Sequence, residues 1–155
     1  MAADLDYLFI KSLNNAKIPG TYILMIELTE AIPITVGRLG IHIFEPGYYL
    51  YTGSALNGLV SRISRHIRSD KPCHWHIDYL TQAGRVTGIF WTVGREKNEC
   101  QWSRQISSSR TSTSPMRGFG SSDCKCETHL YFFSRLSNVY RMINEINPKY
   151  SVRCE

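Results

Sequence analysis

Gly20-Thr21-Tyr22-Ile23-Leu24-Met25-Ile26-Glu27-Leu28 is the stretch on which the fold turns. Pro19 precedes it, its residues are mostly apolar or β-branched, and its length suits a buried strand. Downstream, Ile32 to Val36 reads as a second extended region, Gly37 to Gly40 as a turn, and Ile41 to Phe44 extends again before the Pro46-Gly47 break. Tyr48 to Thr52 forms a further strand, closed by Gly53-Ser54. Short strands divided by turn chemistry at 37–40 and 46–47 predict an antiparallel meander. Upstream, residues 1–19 read as a polar N-terminal leader.

After Ser54 the apolar period becomes helical. Asn57 can cap a helix running to about Arg68, because Leu59, Ile63 and Ile67 recur every four residues along one face. Arg62 and His66 fall together beside that stripe. A second helix begins near His74 and ends before Gly84, Val86 to Val93 is a strand, and Glu99 to Ile106 is a helix with Glu99 in its first turn. The Ser-, Thr-, Arg- and Gly-rich run 107–120 reads as a mobile loop. His129 to Phe133 is a last strand. Ser137 caps a final helix whose apolar face is Val139, Met142, Ile143 and Ile146, stopped by Pro148. The expected fold is α+β: a small central mixed or antiparallel sheet flanked by helices, one domain over 20–147, with 148–155 as a C-terminal tail.

Bulk properties fit that picture. A chain of 155 residues, 43% hydrophobic, supports one core. Lys and Arg outnumber Asp and Glu 18 to 13, giving a net charge of +5. The sequence pI is near 9.0, which suits a polyanionic partner but is also reached by ordinary solvated surfaces. Acidic residues in Met1 to Asp6 do not make a secretory signal, and no run approaches the roughly 20 apolar residues of a membrane span, so a soluble, cytoplasmic protein without a membrane partner is expected. Five cysteines, Cys73, Cys100, Cys124, Cys126 and Cys154, argue for thiols or a metal site over a disulfide framework.

Two glycine-tyrosine clusters carry the chemistry: Gly20-Thr21-Tyr22 starts one strand and Tyr51-Thr52-Gly53 ends another. Antiparallel pairing brings both phenols to one end of a sheet, where Arg62, His66 and Glu99 can join them. In order, Gly-x-Tyr, Tyr-x-Gly, Arg-x-x-x-His on a helix and a later Glu resemble the GIY-YIG nuclease superfamily. The strings Tyr48-Tyr49-Leu50-Tyr51-Thr52-Gly53-Ser54-Ala55, Arg65-His66-Ile67-Arg68, His74-Trp75-His76-Ile77-Asp78-Tyr79-Leu80 and Phe119-Gly120-Ser121-Ser122-Asp123-Cys124-Lys125-Cys126 are similar to a compact, poorly characterised branch of it. The resemblance spans roughly residues 20–133. It departs from the family name in having Thr at the centre of both tripeptides, and the long stretch between Tyr22 and Tyr51 needs the extra segments at 32–44.

The resemblance implies a metal-dependent endonuclease acting on DNA in preference to RNA. Glu99 is then the ligand of one divalent ion, Mg2+ or Mn2+, and Arg62 neutralises charge growing on the phosphoryl group. Tyr22, Tyr51 and His66 compete for the role of base, a phenol qualifying if nearby cations lower its pKa. Ser54, Arg65, Arg68, Lys71, His74, Trp75 and His76 are candidate nucleic-acid contacts, and the basic helix, Trp75 and the 107–120 loop suit single-stranded or branched substrate. The plainer reading makes Arg68 a solvated charge, Trp75 core, His76 and Asp78 partners of neighbouring backbone, and Glu99 a dipole-complementing carboxylate. Cys124-Lys125-Cys126 followed by His129 invites structural zinc, with Cys73, Cys100 or His74 as fourth ligand. The tight spacing favours instead a turn packed beside the site. The rival functions are a non-catalytic nucleic-acid-binding module and a zinc-stabilised interaction domain.

Overall fold

A computed structural model describes residues 2–13 and 17–154; the parts of the expected leader and tail at Met1, residues 14–16 and Glu155 lie outside the described residues. Strand β1 (Gly20–Leu28) is central, paired antiparallel with β4 (Gly47–Ala55) on one side and β5 (Arg85–Val93) on the other. Strand β6 (Leu130–Phe133) extends the sheet beyond β4 and β7 (Tyr150–Arg153) beyond β5, giving the order β6-β4-β1-β5-β7 with every pairing antiparallel. Strands β2 (Ile32–Thr35) and β3 (Ile41–Phe44) form a separate two-stranded hairpin. The meander expected from the sequence is therefore interrupted, and β4 returns directly to β1.

Both faces of the sheet are covered, which is why β1 reads as continuously apolar. Tyr22, Leu24, Ile26 and Leu28 face one core, packed with residues of α1 (Ala2–Ser12), α2 (Leu59–Ile67) and α3 (His76–Ala83). Ile23 and Met25 face the other, with Trp102 and Ile106 of α4 (Glu99–Ser107) and Val139, Met142 and Ile143 of α5 (Leu136–Ile146). The class is α+β, as the sequence implied. Among the described residues, no helix is long and apolar enough to cross a membrane.

Several expectations are corrected. The supposed polar leader contains α1, whose Leu5 and Phe9 are buried, with Phe9 set edge-on to Trp91 at 5.0 Å. Their four-residue spacing puts both on one helical face. The supposed tail contains β7, whose short register with β5 runs from Gly88↔Arg153 to Trp91↔Tyr150. The 107–120 segment is irregular but tied down: Thr113 and Phe132 exchange backbone hydrogen bonds of 3.0 and 2.8 Å, and Phe119 is fully buried. One aromatic anchor and a strand bridge supply the order that its polar composition does not. Asn57 and Ser137 give way as caps to Gly58 and Arg135, because Leu59 and Leu136 already pack inward as first helical residues.

The register explains both glycines of the paired motifs. Tyr22 lies opposite Gly53, and a Cβ there would stand 2.5 Å from the Tyr22 Cζ and hydroxyl oxygen. At Gly20 a Cβ would meet the Thr92 carbonyl oxygen at 2.5 Å and Leu59 Cδ1 at 2.7 Å. Gly53→Ala is expected to displace the Tyr22 ring and cost about 1–3 kcal/mol, an overpacking penalty readable in urea denaturation. Unchanged stability would mean that the ring is not fixed against β4.

Candidate active site

Pairing of β1 with β4 brings Tyr22 and Tyr51 to one end of the sheet, their ring centroids 6.4 Å apart. Helix α2 carries His66 against them, and the Tyr22 hydroxyl lies 2.8 Å from His66 Nε2. One turn earlier, Arg62 donates to the Ser54 carbonyl at 3.1 Å, and its guanidinium lies 4.5 Å from the centre of the Trp75 ring. Glu99, in the first turn of α4 beyond the opposite face of the sheet, accepts a hydrogen bond from the Ser54 hydroxyl. Tyr22, Tyr51, Ser54, Arg62, His66 and Glu99 line one cavity of about 850 Å³, with His74, Trp75 and His76 also on its wall.

The two central threonines hold α4 in place. Thr21 donates to the Glu96 carbonyl at 3.1 Å and accepts from the Asn98 N–H at 3.1 Å, while the Thr52 and Ser103 hydroxyls meet at 2.5 Å in the buried interior. Each motif thus presents its tyrosine on the α2 face of the sheet and, one residue away, a hydroxyl to the α4 face. A side chain without the hydroxyl would keep the strand and lose the tie to the helix that bears Glu99.

Behind His66 lies a buried charge cluster centred on Asp78, the one member that sequence reasoning left out of the site. Asp78 accepts both Arg65 hydrogen bonds at 2.9 Å, the His74 N–H at 2.8 Å and the Trp75 N–H at 2.9 Å. Lys71 Nζ is 3.6 Å away and His66 Nδ1 3.7 Å away. Burial alone would raise the Asp78 carboxyl. The His66 ring, the two amides and the Arg65 guanidinium overcome that and hold it well below the usual carboxylate range. A carboxylate beside Nδ1 favours the tautomer protonated there, which leaves Nε2 to accept the Tyr22 hydroxyl.

This geometry changes several assigned roles. Arg65 is committed to Asp78 and the Pro72 carbonyl, at 3.1 Å, and stacks 4.5 Å from Trp75, so its fork is not free for phosphate. Lys71 is buried, donating to the His66 carbonyl and, at 2.9 Å, to Thr81, so its ammonium is turned inward and not presented at the surface. Trp75 serves as a platform for two guanidinium groups. Arg68 is exposed at the end of α2, outside the cavity wall. His76 accepts from the Gly120 N–H at 2.9 Å, fixing the loop that closes the cavity.

Nor do the cations lower the phenols. Burial raises Tyr22 well above its ordinary value, Tyr51 adds to the rise, and Arg62 opposes without reversing it. Tyr51 is raised by burial in the same way. Burial instead lowers His66, with Asp78 opposing, so its imidazole is neutral near pH 7. Of the three candidate bases, His66 is the one whose shift favours the neutral, proton-accepting form.

Next to Glu99, the structure gathers Cys100, Cys124, Cys126 and His129 with their ligand atoms all within 4.8 Å of one another, a set able to hold a metal ion. The sequence reading favoured a simple turn here. The tight spacing of Cys124 and Cys126 points that way, and Cys100, one of the three candidate fourth ligands, completes the set from α4.

Fold and cavity together define a helix-covered α+β domain with phenolic, imidazole, guanidinium and carboxylate groups converging at one end of its sheet. The chain belongs to the family described as domain of unknown function DUF123, whose model matches residues 21–152. No curated protein and no solved structure matches it.

Proposed function

We propose that this protein is a metal-dependent endonuclease that hydrolyses phosphodiester bonds of DNA, as its resemblance to GIY-YIG nucleases implies. One observation carries the reading: Tyr22, Tyr51, Arg62, His66 and Glu99, drawn from β1, β4, α2 and α4, line a single cavity. A charge of +5 supports a polyanionic substrate.

The Glu99 carboxylate and Ser54 hydroxyl are hard oxygen donors, which suits Mg2+ or Mn2+ keeping part of its water shell. When bound, that ion supplies electrophilic activation of a phosphoryl oxygen and acidifies water near the leaving group. The chain's own residues do the rest. Arg62, braced by the Ser54 carbonyl and Trp75, offsets the charge that builds as water attacks phosphorus and the P–O bond breaks. The attacking water gives its proton to the Tyr22 oxygen while the Tyr22 hydroxyl proton passes to His66 Nε2. Asp78 balances the resulting imidazolium at Nδ1. Tyr22 stays neutral throughout, consistent with its raised pKa.

The test is incubation of the purified protein with labelled single-stranded, duplex and forked DNA and with RNA, in Mg2+, Mn2+ or chelator. Cutting that needs the metal, fastest on single-stranded or forked DNA, is expected. Binding without cutting on every substrate would replace the enzyme with a non-catalytic nucleic-acid-binding module.

A further inference from the structure

We infer that Cys100, Cys124, Cys126 and His129 form a closed tetrahedral zinc site that clamps the first turn of α4, and with it Glu99, to the loop preceding β6. Four ligand atoms within 4.8 Å of one another surround a volume suited to one ion. His129 Nε2 lies 3.7 Å from Cys100 Sγ and 3.4 Å from Cys124 Sγ. A tetrahedral ion with Zn–S of about 2.3 Å and Zn–N of about 2.0–2.1 Å sets sulfur and nitrogen about 3.5 Å apart, which those two distances bracket.

The donor set decides which metal. Three thiolates and an imidazole are soft to borderline ligands, suited to zinc and unsuited to the hard ions proposed at Glu99. An iron–sulfur cluster spreads its ligands around several iron atoms, whereas these four ligand atoms all lie within 4.8 Å of one another. A single disulfide would use two thiols and leave the third thiol and the imidazole unexplained. Four protein ligands leave no open position, so the site is structural and separate from the catalytic ion.

The ligands also lie where a clamp has something to hold. Cys100 follows Glu99 directly in α4, while Cys124 and Cys126 occupy an irregular, largely exposed loop. His129 donates its backbone N–H to Phe119 at 2.8 Å, and its carbonyl accepts from Thr52 at 3.0 Å, which joins the site to β4. A metal closing so long a polar loop contributes its binding free energy directly to folding. The zinc assignment is independent of the nuclease reading; only its consequence for Glu99 rests on it.

The test uses the full chain, purified in reductant, saturated with zinc and desalted. About one tightly held zinc per chain is expected, and cobalt exchange should give the visible bands of a tetrahedral, thiolate-rich site. His129→Cys should retain the metal, His129→Ala and Cys126→Ser should lose it, and Cys73→Ser with Cys154→Ser should leave it unchanged. Substoichiometric zinc in the reduced, folded wild type would overturn the proposal. So would an iron chromophore, or zinc unaffected by Cys126→Ser. Because metal content is read directly, a protein that binds zinc yet cuts nothing separates this site from the proposed activity.

Discussion

Glu99→Gln is expected to lose metal-dependent cutting by about 10²–10³-fold or more, since it removes the carboxylate proposed to hold the hard ion while keeping the side chain's size. The fold should survive. Thr21 and Thr52 hold α4 independently of Glu99, and the glutamine oxygen can still accept from Ser54. The competing view gives Glu99 only a favourable interaction with the helix dipole, worth about 0.3–1 kcal/mol. That view predicts slight destabilisation with normal activity. Single-turnover cleavage measured beside urea denaturation separates the two, and a Gln variant cutting within a few-fold of wild type would remove Glu99 from the catalytic centre.

Asp78→Asn should instead act on the whole fold, with an expected cost of about 3–5 kcal/mol at neutral pH, because it leaves buried cationic partners without their carboxylate. Asp78 and Lys71 side chains are fully buried, and Arg65 is 23% exposed. Burial already lowers the Lys71 pKa, so shedding its proton limits the loss. The pH dependence has a defined sign. Asp78 has a folded-state pKa below its unfolded one, so its contribution is fully present above about pH 3.9 and disappears as pH falls toward the folded value. Wild type should therefore lose stability in acid, and the Asn variant should lack that component. Equal stability at neutral pH would show that the cluster does not hold α2 and α3 together.

Central strands and helices were legible because their periods are strong. The apolar run at Tyr22–Leu28 and the stripe of Leu59 and Ile63 each bury a surface that the sequence displays directly. The order of Tyr22, Tyr51, Arg62, His66 and Glu99 likewise sufficed to place them in one cavity. What escaped depends on contacts distant in sequence. Lys71 looks like a surface cation until Asp78 and the His66 carbonyl are seen around it, and Arg65 looks like a phosphate fork until both of its hydrogen bonds to Asp78 are drawn. Cys100 stands among three candidate fourth ligands in the sequence, and only the approach of α4 to the loop before β6 selects it over Cys73 and His74. In α1 the signal was present in the four-residue spacing of Leu5 and Phe9, although Asp4 and Asp6 flank Leu5. Strand β7 is short and lies at the sheet edge, where four residues after a proline carry little periodic information.

The threonines at 21 and 52 refine the resemblance to GIY-YIG nucleases. Both depart from the isoleucine of the family name, and both hydrogen-bond the helix that carries Glu99 or the segment leading into it. Carboxylate placement is thereby shared among β1, β4 and α4, so that the site is assembled from both faces of the sheet.

Hydrolysis of a phosphodiester by water activated in this cavity is the central claim, and isotope incorporation tests it most directly. DNA cut by the wild-type protein in ¹⁸O-labelled water with Mg2+ should carry the label in the new terminal phosphate, with no cut ends in chelator. Ends formed without label, or no cutting in either metal, would contradict it.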